Sequence, residues 1–407
     1  MNGFVSGVIR SHAIDVVGKT GPKLQVLSDN EAYNERVEAI WSQWWSMPDI
    51  NGQWSGVEFL KLWDRLMWTC GEYLIQKVTD TAADGWQKFR IHNIAPRRLV
   101  SPIGYSDDVI LGIKRDKRGK PLEYYVLKYD KDRVAGSSLD TDPLKPEDVL
   151  HRFEPIEPGQ VRGVPWLAPV LQTMADLHDC DEQVLDAIRA AADQAVVFFT
   201  EHPDATYFEI DATVEIERRT MSTIPPGWKP QQLKPEQPGT KYVEYRYERL
   251  RELGRVVNMP LMIVLLDSQK HSFSSARFDS QLYVRGIESF QNWVETRTLN
   301  VLLGELVREA SVARQLPRKP KKVTYNWSWP KLPAVDRYKE GLGDRVGLED
   351  GTVAVSDVID TDLDTHISKI GRETKAYEKA GLSHPHGRKT GRTVQKSSKT
   401  KDGDKKS

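Results

Sequence analysis

Residues 144–185 read LKPEDVLHRFEPIEPGQVRGVPWLAPVLQTMADLHDCDEQVL, and the change of pattern inside them decides the fold. At Gly163-Val164-Pro165 the chain switches to a helical pattern, and proline suits the first turn of a helix because its missing N–H has no intrahelical partner there. Leu167, Val170, Leu171, Met174 and Leu177 then mark one face, and the pattern resumes at Val184, Leu185 and Ile188 before running through alanines. A helix of ~30 residues would be ~45 Å long. That exceeds the length usual in a compact domain.

Toward the amino terminus, the chain from about Arg90 reads as short strands. Val109–Ile113 and Leu122–Tyr129 flank the polar DKRGKP stretch with Gly119 and Pro121, which predicts a hairpin. Residues 1–90 read as helical, with Phe59, Leu62, Trp63, Leu66 and Met67 on one face and a break at Asn51-Gly52. A mixed α/β domain of about 150 residues accounts for this half.

Toward the carboxyl terminus, His202-Pro203-Asp204 ends the long helix. Pro225, Pro226, Pro230, Pro235 and Pro238 then imply an exposed excursion. Tyr242–Val257 is helical again and dense in aromatics and arginines. Asn258-Met259-Pro260 and a loop with Asp267, Ser268, Gln269, Lys270 and His271 precede a second long helix. Tyr283, Ile287, Phe290 and Val294, continued by Leu299, Leu302, Leu303, Leu306 and Val307, mark its face, and no proline interrupts Ser274 to Arg314. Such a run of ~40 residues would extend ~60 Å. Gly286 is the expected kink, since glycine weakens a helix interior by about 1 kcal/mol. After Pro317–Pro320 come one strand, Val323–Trp329, and a small helical region ending near Leu382. The stretch from Gly387 holds eight basic and two acidic residues without apolar periodicity, which predicts a disordered basic tail.

The bulk numbers bound the function. A length of 407 residues corresponds to two or three domains. With 58 basic and 58 acidic residues the net charge is zero, which argues against coating nucleic acid by bulk attraction and leaves local patches open. Cys70 and Cys180 are too few for a disulfide framework and lack metal-ligand spacing. The longest apolar run, Met259–Leu266, is too short to span a bilayer, and the amino-terminal residues lack a signal pattern, so a soluble protein, intracellular at synthesis, is expected. Seven of the twelve tryptophans fall between Trp41 and Trp86. Core and subunit packing is the reading for them, with base stacking as the alternative.

Three motifs resemble chemistry and fail at defining positions. Val17-Gly18-Lys19-Thr20 resembles a phosphate-binding loop, but Ala13 stands where the first glycine belongs, and Gly21-Pro22 follow where the helix should begin. Asp360-Thr361-Asp362-Leu363-Asp364 resembles a calcium loop, but Thr365 and Gly371 replace its turn glycine and bidentate glutamate. Asp357, Asp360 and Asp364 read instead as a solvated helix face. His151 and His178 have no nucleophile or second ligand nearby in sequence and read as packing or surface histidines. No catalytic residue, metal ligand or cofactor is expected.

Three blocks in register carry a resemblance. Glu147-Asp148-Val149-Leu150-His151 is followed by Gly159-Gln160-Val161-Arg162-Gly163 and Pro165-Trp166-Leu167. The second block runs from Arg251 through Arg255, Asn258-Met259-Pro260 and Asp267 to Phe273-Ser274-Ser275-Ala276-Arg277. The third comprises Trp327 or Trp329, Pro333, Asp336, Lys339-Glu340, Gly347, Arg372-Glu373 and Gly381-Leu382. Together they resemble the lambda-type portal proteins of tailed bacteriophages, from about Gly3 to Leu382. Phe273 stands for the family's tyrosine, Asn258 for its glycine and Arg337 for its proline. The family has several dozen residues ahead of the equivalent of Asn2, so a missing segment or a short version is expected.

The resemblance implies an α+β portal fold and a ring, usually of twelve subunits, at one vertex of the virion's head. Double-stranded DNA would pass through it without sequence preference. The expected parts are a wing (1–164 and 314–340), stem helices (165–195 and 241–258), a clip (196–240), a tunnel loop (259–274), a long kinked helix (275–313), a crown (341–386) and the tail (387–407). Asp267, Ser268, Gln269, Lys270 and His271 would face DNA. Arg246, Arg249, Arg251 and Arg255 would line the channel or pair with Glu244, Glu248 and Glu252 between subunits. Gly159, Gln160, Arg162, Gly163, Pro165, Trp166, Ser274, Ser275 and Arg277 would be structural. Trp228 would belong to a clip surface for the terminase large subunit and then the head–tail adaptor, and major capsid and scaffolding proteins are further expected partners. The tail would contact packaged DNA or be solvated. The competing class is a metal-dependent nuclease, which needs carboxylates clustered at one site.

Overall fold

The computed structural model describes residues 3–102, 108–128, 140–192, 196–200, 228–232, 240–268, 272–332, 337–352, 355–358 and 363–379. Helix α1 (Gly3–Val17) buries Val5, Val8, Ile9, His12, Ala13, Val16 and Val17 along one stripe. Strand β1 (Lys23–Leu27) follows, then α2 (Glu31–Trp45), whose N-cap Asn30 accepts from the Tyr33 N–H. Helix α3 (Gly56–Thr69) opens on a capping box in which Ser55 and Glu58 satisfy each other's backbone N–H. The first ninety residues are therefore not uniformly helical, because β1 interrupts them and β2 (Glu72–Thr79) begins the sheet early. The first four residues of β2 are all buried, and a continuous apolar run carries no period that separates strand from helix.

Strand β3 (Phe89–Ile94) starts the irregular half, followed by β4 (Val109–Ile110), β5 (Ile113–Arg115), β6 (Pro121–Leu127), β7 (Thr141–Leu144) and β8 (Val149–Phe153). Strand β2 is the centre of an antiparallel sheet ordered β3-β2-β8, and β4-β5-β6-β7 form a meander beside it. The expected hairpin is β5–β6, where the Asp116 carboxylate accepts the N–H groups of Arg118 and Lys120, both at 2.8 Å. Val109–Ile113 is not one strand: Leu111 and Gly112, at φ 52° and 84°, turn the chain between β4 and β5.

Helix α4 (Leu171–Ala192) spans 22 residues after a 3₁₀ turn at Ala168–Val170, so it begins later than Pro165. The cause lies in the end of α3: Trp166 and Leu167 donate their N–H groups to the carbonyls of Met67 and Trp68 at 3.1 and 3.3 Å. Of residues 196–240, β9 (Val196–Thr200) and β10 (Trp228–Gln232) are described in strand form and pair antiparallel, with Trp228 opposite Thr200. Helix α5 (Thr240–Arg255) leads to α6 (Leu261–Leu265), a short helix where a loop was expected.

The second long helix is α7 (Phe273–Val294), one π turn (Glu295–Leu299) and α8 (Asn300–Val312), continuous over the expected span. The irregularity sits at the π turn and not at Gly286, which lies within α7. A π turn leaves a backbone group without its usual i–4 partner. Here Arg152 Nε donates to the Arg297 carbonyl at 2.6 Å, and Thr298 meets the buried Tyr73 hydroxyl at 2.7 Å. Strand β11 (Thr324–Ser328) returns to pair with β1, tying residues 324–328 to the first domain half. Helices α9 (Arg337–Glu349), α10 (Val355–Val358) and α11 (Leu363–Lys379) complete the described chain.

The tryptophans are mainly core. Trp41, Trp44, Trp45, Trp63 and Trp68 are buried in one cluster that also takes in α7 and α8, whereas Trp54 is 43% exposed. Trp44 stacks on Phe89 at 5.2 Å and donates its indole N–H to the Phe89 carbonyl at 2.7 Å. Gly56 lies flat on the Trp45 ring, where an added Cβ would come within 2.0 Å.

Candidate functional site

The turn at 159–163 is organised by a residue that sequence reasoning did not single out. Glu72, the first residue of β2, has its carboxylate only 2% exposed. Arg162 Nε donates to one carboxylate oxygen at 2.6 Å, while the His151 ring and the Gly163 N–H reach the other at 2.9 and 2.8 Å. The rest of the Arg162 guanidinium donates to the carbonyls of Leu99, Leu111 and Pro96. Gln160 accepts the Ile156 N–H and donates to the Arg162 carbonyl, both at 2.7 Å, closing the turn. Gly163 is held against Gly71: a Cβ on Gly163 would lie 2.1 Å from the Gly71 carbonyl oxygen, and one on Gly71 would lie 2.1 Å from the Val164 carbonyl carbon. Pro165 is part of this close passage, and the Trp166 indole N–H reaches Glu154 at 3.0 Å.

Burial pushes the Glu72 carboxyl up, but the hydrogen bonds and charges of His151 and Arg162 outweigh it, and its pKa falls below the ordinary glutamate value. His151 is thus one arm of a buried structural hub. Its sequence partner in doubt, His178, meets Glu182 on the exposed face of α4 at 3.4 Å.

A second buried polar group ties α1 to its neighbours. His12 Nδ1 meets Asp64 at 2.8 Å, and the Tyr283 hydroxyl donates to Asp15 at 3.0 Å. Burial raises the Asp15 carboxyl above its usual value against the opposing Tyr283 hydrogen bond.

The arginines of α5 pair within the chain. Arg249 meets Glu252 at 3.1 Å, Arg251 pairs with Glu248, Arg255 bonds Asn258, and the Arg246 guanidinium lies 5.0 Å from the centre of the Phe4 ring. Glu248 and Glu252 thus each have an arginine of their own helix beside them, at spacings of three. Beyond α6, Leu266 caps the helix in a left-handed conformation, φ 53°, with 82% of its surface exposed. Asp267 and Ser268 follow it, whereas Gln269, Lys270 and His271 lie outside the described residues. Ser272 caps α7 by accepting the Ser275 N–H, and Ser274, Ser275 and Arg277 are exposed on its first turns. The aspartates at 360 and 362 and the tail from Gly387 also lie outside the described residues.

The remaining motif resolves simply. Val17 ends α1, Gly18 turns at φ 67° with its N–H on the Ile14 carbonyl, and a strand rather than a helix follows, so the Gly-Lys-Thr run is a helix stop. Among the described residues, no group of three or more His, Cys, Asp or Glu is placed to hold a metal ion, and no helix is long and apolar enough to cross a membrane.

The model of the phage portal proteins of the lambda family matches residues 1–291. Among solved structures, the chain is similar over 93% of its length to a chain from the virion of a native gene transfer agent particle, with a TM-score of 0.50, 11% identity and 89% of that chain covered. A chain from the neck of an empty gene transfer agent particle, computed with C6 symmetry, gives a TM-score of 0.50 at 12% identity, with the same shares covered. At those identities the likeness speaks for the fold, and the α+β architecture described above is the portal fold.

Proposed function

Because the chain belongs to the lambda family of phage portal proteins, which is structural rather than enzymatic, we propose that its copies close into a ring, twelve in the assembled particle, at one vertex of a phage head, and that double-stranded DNA enters and leaves through the axis. The family match over residues 1–291 carries this reading, and the likeness in fold to virion and neck chains supports it. On this reading α4 and α5 are the stem, residues 196–240 the clip, 259–274 the tunnel loop, α7 to α8 the long helix, and residues 341–386 the crown. The clip, with Trp228, docks the terminase large subunit during packaging and the head–tail adaptor afterwards. The wing, residues 1–164 with 314–340, meets major capsid and scaffolding proteins.

The physics of a conduit favours weak, distributed contact. A protein that neutralises many phosphates binds DNA tightly through counterion release, which would stall sliding. A chain of zero net charge avoids this, while ring symmetry multiplies any single charge at the constriction. Lys270 and His271 supply such charges in the tunnel loop. Replacing both with alanine should slow packaging or ejection, and unchanged rates of both would remove them from the mechanism.

Light scattering on the purified protein tests the reading as a whole. A closed assembly many times the 46.4 kDa subunit is expected. A stable monomer that cleaves DNA in the presence of magnesium would contradict it and favour a nuclease.

A further inference from the structure

The outer face of α4 is acidic and has no partner element within the described chain. Asp176, Asp179, Glu182 and Asp186 are exposed, while Met174 and Leu177 are buried and Asp181 accepts the Tyr242 hydroxyl of α5 at 2.6 Å. At about 3.6 residues per turn, Asp176, Asp179 and Asp186 lie on the side opposite that buried set, so they point away from α5. The helix carries five acidic residues and one arginine. Like charges three and four residues apart destabilise an isolated helix, so a lone subunit gains nothing from this face. Its local relief is partial: Gln172 bonds Asp176, His178 meets Glu182 and Arg189 meets Asp186, but Asp179 has no hydrogen bond or ion pair among the described residues.

The same chain presents a surface of the opposite character. A groove of about 590 Å³ lies between the end of α5 and the middle of α7, lined by Arg255, Asn258, Arg285, Trp166, Leu282 and Phe290. Both arginines are exposed; Arg255 bonds Asn258, and Arg285 has no partner among the described residues. The one carboxylate in the groove, Glu154, is pushed by burial toward its neutral form, although the Trp166 indole opposes this. The pairs Arg249–Glu252 and Arg251–Glu248 already use neighbouring acids of α5, which leaves Arg255 and Arg285 as the cations for an outside carboxylate.

We propose that this groove receives the acidic face of α4 from the next copy of the chain. The inference rests on the ring reading and names the surfaces that close the ring. Two different faces of one subunit that fit each other make a head-to-tail contact, and such contacts close into rings when the rotation matches. The choice of a helix rests on charge: Asp176, Asp179 and Asp186 on one face of α4 match Arg255 and Arg285 in the groove, whereas Leu171 and Leu185 lie off that face.

Charge reversal on full-length protein tests it. One variant carries Asp176→Lys and Asp179→Lys, the other Arg255→Glu and Arg285→Glu; all four positions are exposed, and circular dichroism melts check that each variant folds. Each variant alone should need about tenfold or more protein to assemble, a factor equal to about 1.4 kcal/mol. Mixed in equal amounts, they should assemble as the wild type does, because an alternating ring pairs Lys with Glu at one contact and Asp with Arg at the next. The effect should shrink in about 1 M salt, where charges are screened beyond about 3 Å. Normal rings from either folded variant alone, or no rescue on mixing, would overturn the proposal. Loss of DNA retention with normal assembly in the arginine variant would assign the groove to DNA instead. A wild type that forms no ring would defeat the ring reading itself.

Discussion

Glu72 and Arg162 stand ninety positions apart and meet with almost no solvent between them. Removing one partner of a buried, hydrogen-bonded ion pair leaves the other charge uncompensated, which costs about 3–5 kcal/mol. Glu72→Gln should lower stability by about that amount in urea unfolding. The pH dependence follows from the sign of the shift. The folded-state pKa of Glu72 lies below its unfolded value, so its stabilisation is complete above the ordinary glutamate pKa of about 4.3 and is lost as pH falls through the lower, folded value. The wild type should lose this part of its stability at acid pH, and the glutamine variant should lack that loss. Asp15 has the opposite sign: its raised pKa makes the ionised form a cost in the fold at neutral pH. Asp15→Asn, which still accepts from Tyr283, should raise the melting temperature at about pH 7 and gain less at about pH 4. Of this chemistry the sequence displays one side. Gly159, Gln160, Arg162, Gly163, Pro165 and Trp166 form a compact motif, but their anchor is distant in the chain and looks like any polar residue at a strand start. His12, Asp15 and Asp64 were hidden for the same reason, since an amphipathic pattern does not reveal which polar residues face one another across helices.

Between Phe273 and Val312 the helical hydrogen bonding continues through a π turn whose extra residue is matched by outside partners. The Tyr73 hydroxyl is fully buried against Thr298, and burial raises its pKa well above the ordinary tyrosine value. Thr298→Val keeps the shape and removes that partner, so it should cost about 1–3 kcal/mol in unfolding measurements, the penalty of a buried polar group left unsatisfied. At this scale apolar spacing and the absence of proline were enough to find α7 and α8, and the arginine-rich α5 was found within two residues at each end. What they missed has physical causes. Trp166 and Leu167 spend their N–H groups on α3, which delays α4; the π turn contains no glycine and lies where the distant Arg152 reaches the Arg297 carbonyl; and β1 is stabilised by β11, about three hundred residues away in sequence. Short elements whose partners are remote leave little local signal.

The whole molecule combines a tryptophan-rich body, a helical hairpin of α4 and α5, and a long helix, in a chain whose charges balance to zero. The balance is global only, since α4 is acidic while Arg255 and Arg285 gather in one groove. Top views of the purified full-length protein in negative stain, classified for rotational symmetry, test the central claim most directly. Closed annuli of about twelve subunits with an open centre are expected. Uniform small particles without an axial hole, at concentrations up to tens of micromolar and at low salt, would contradict it.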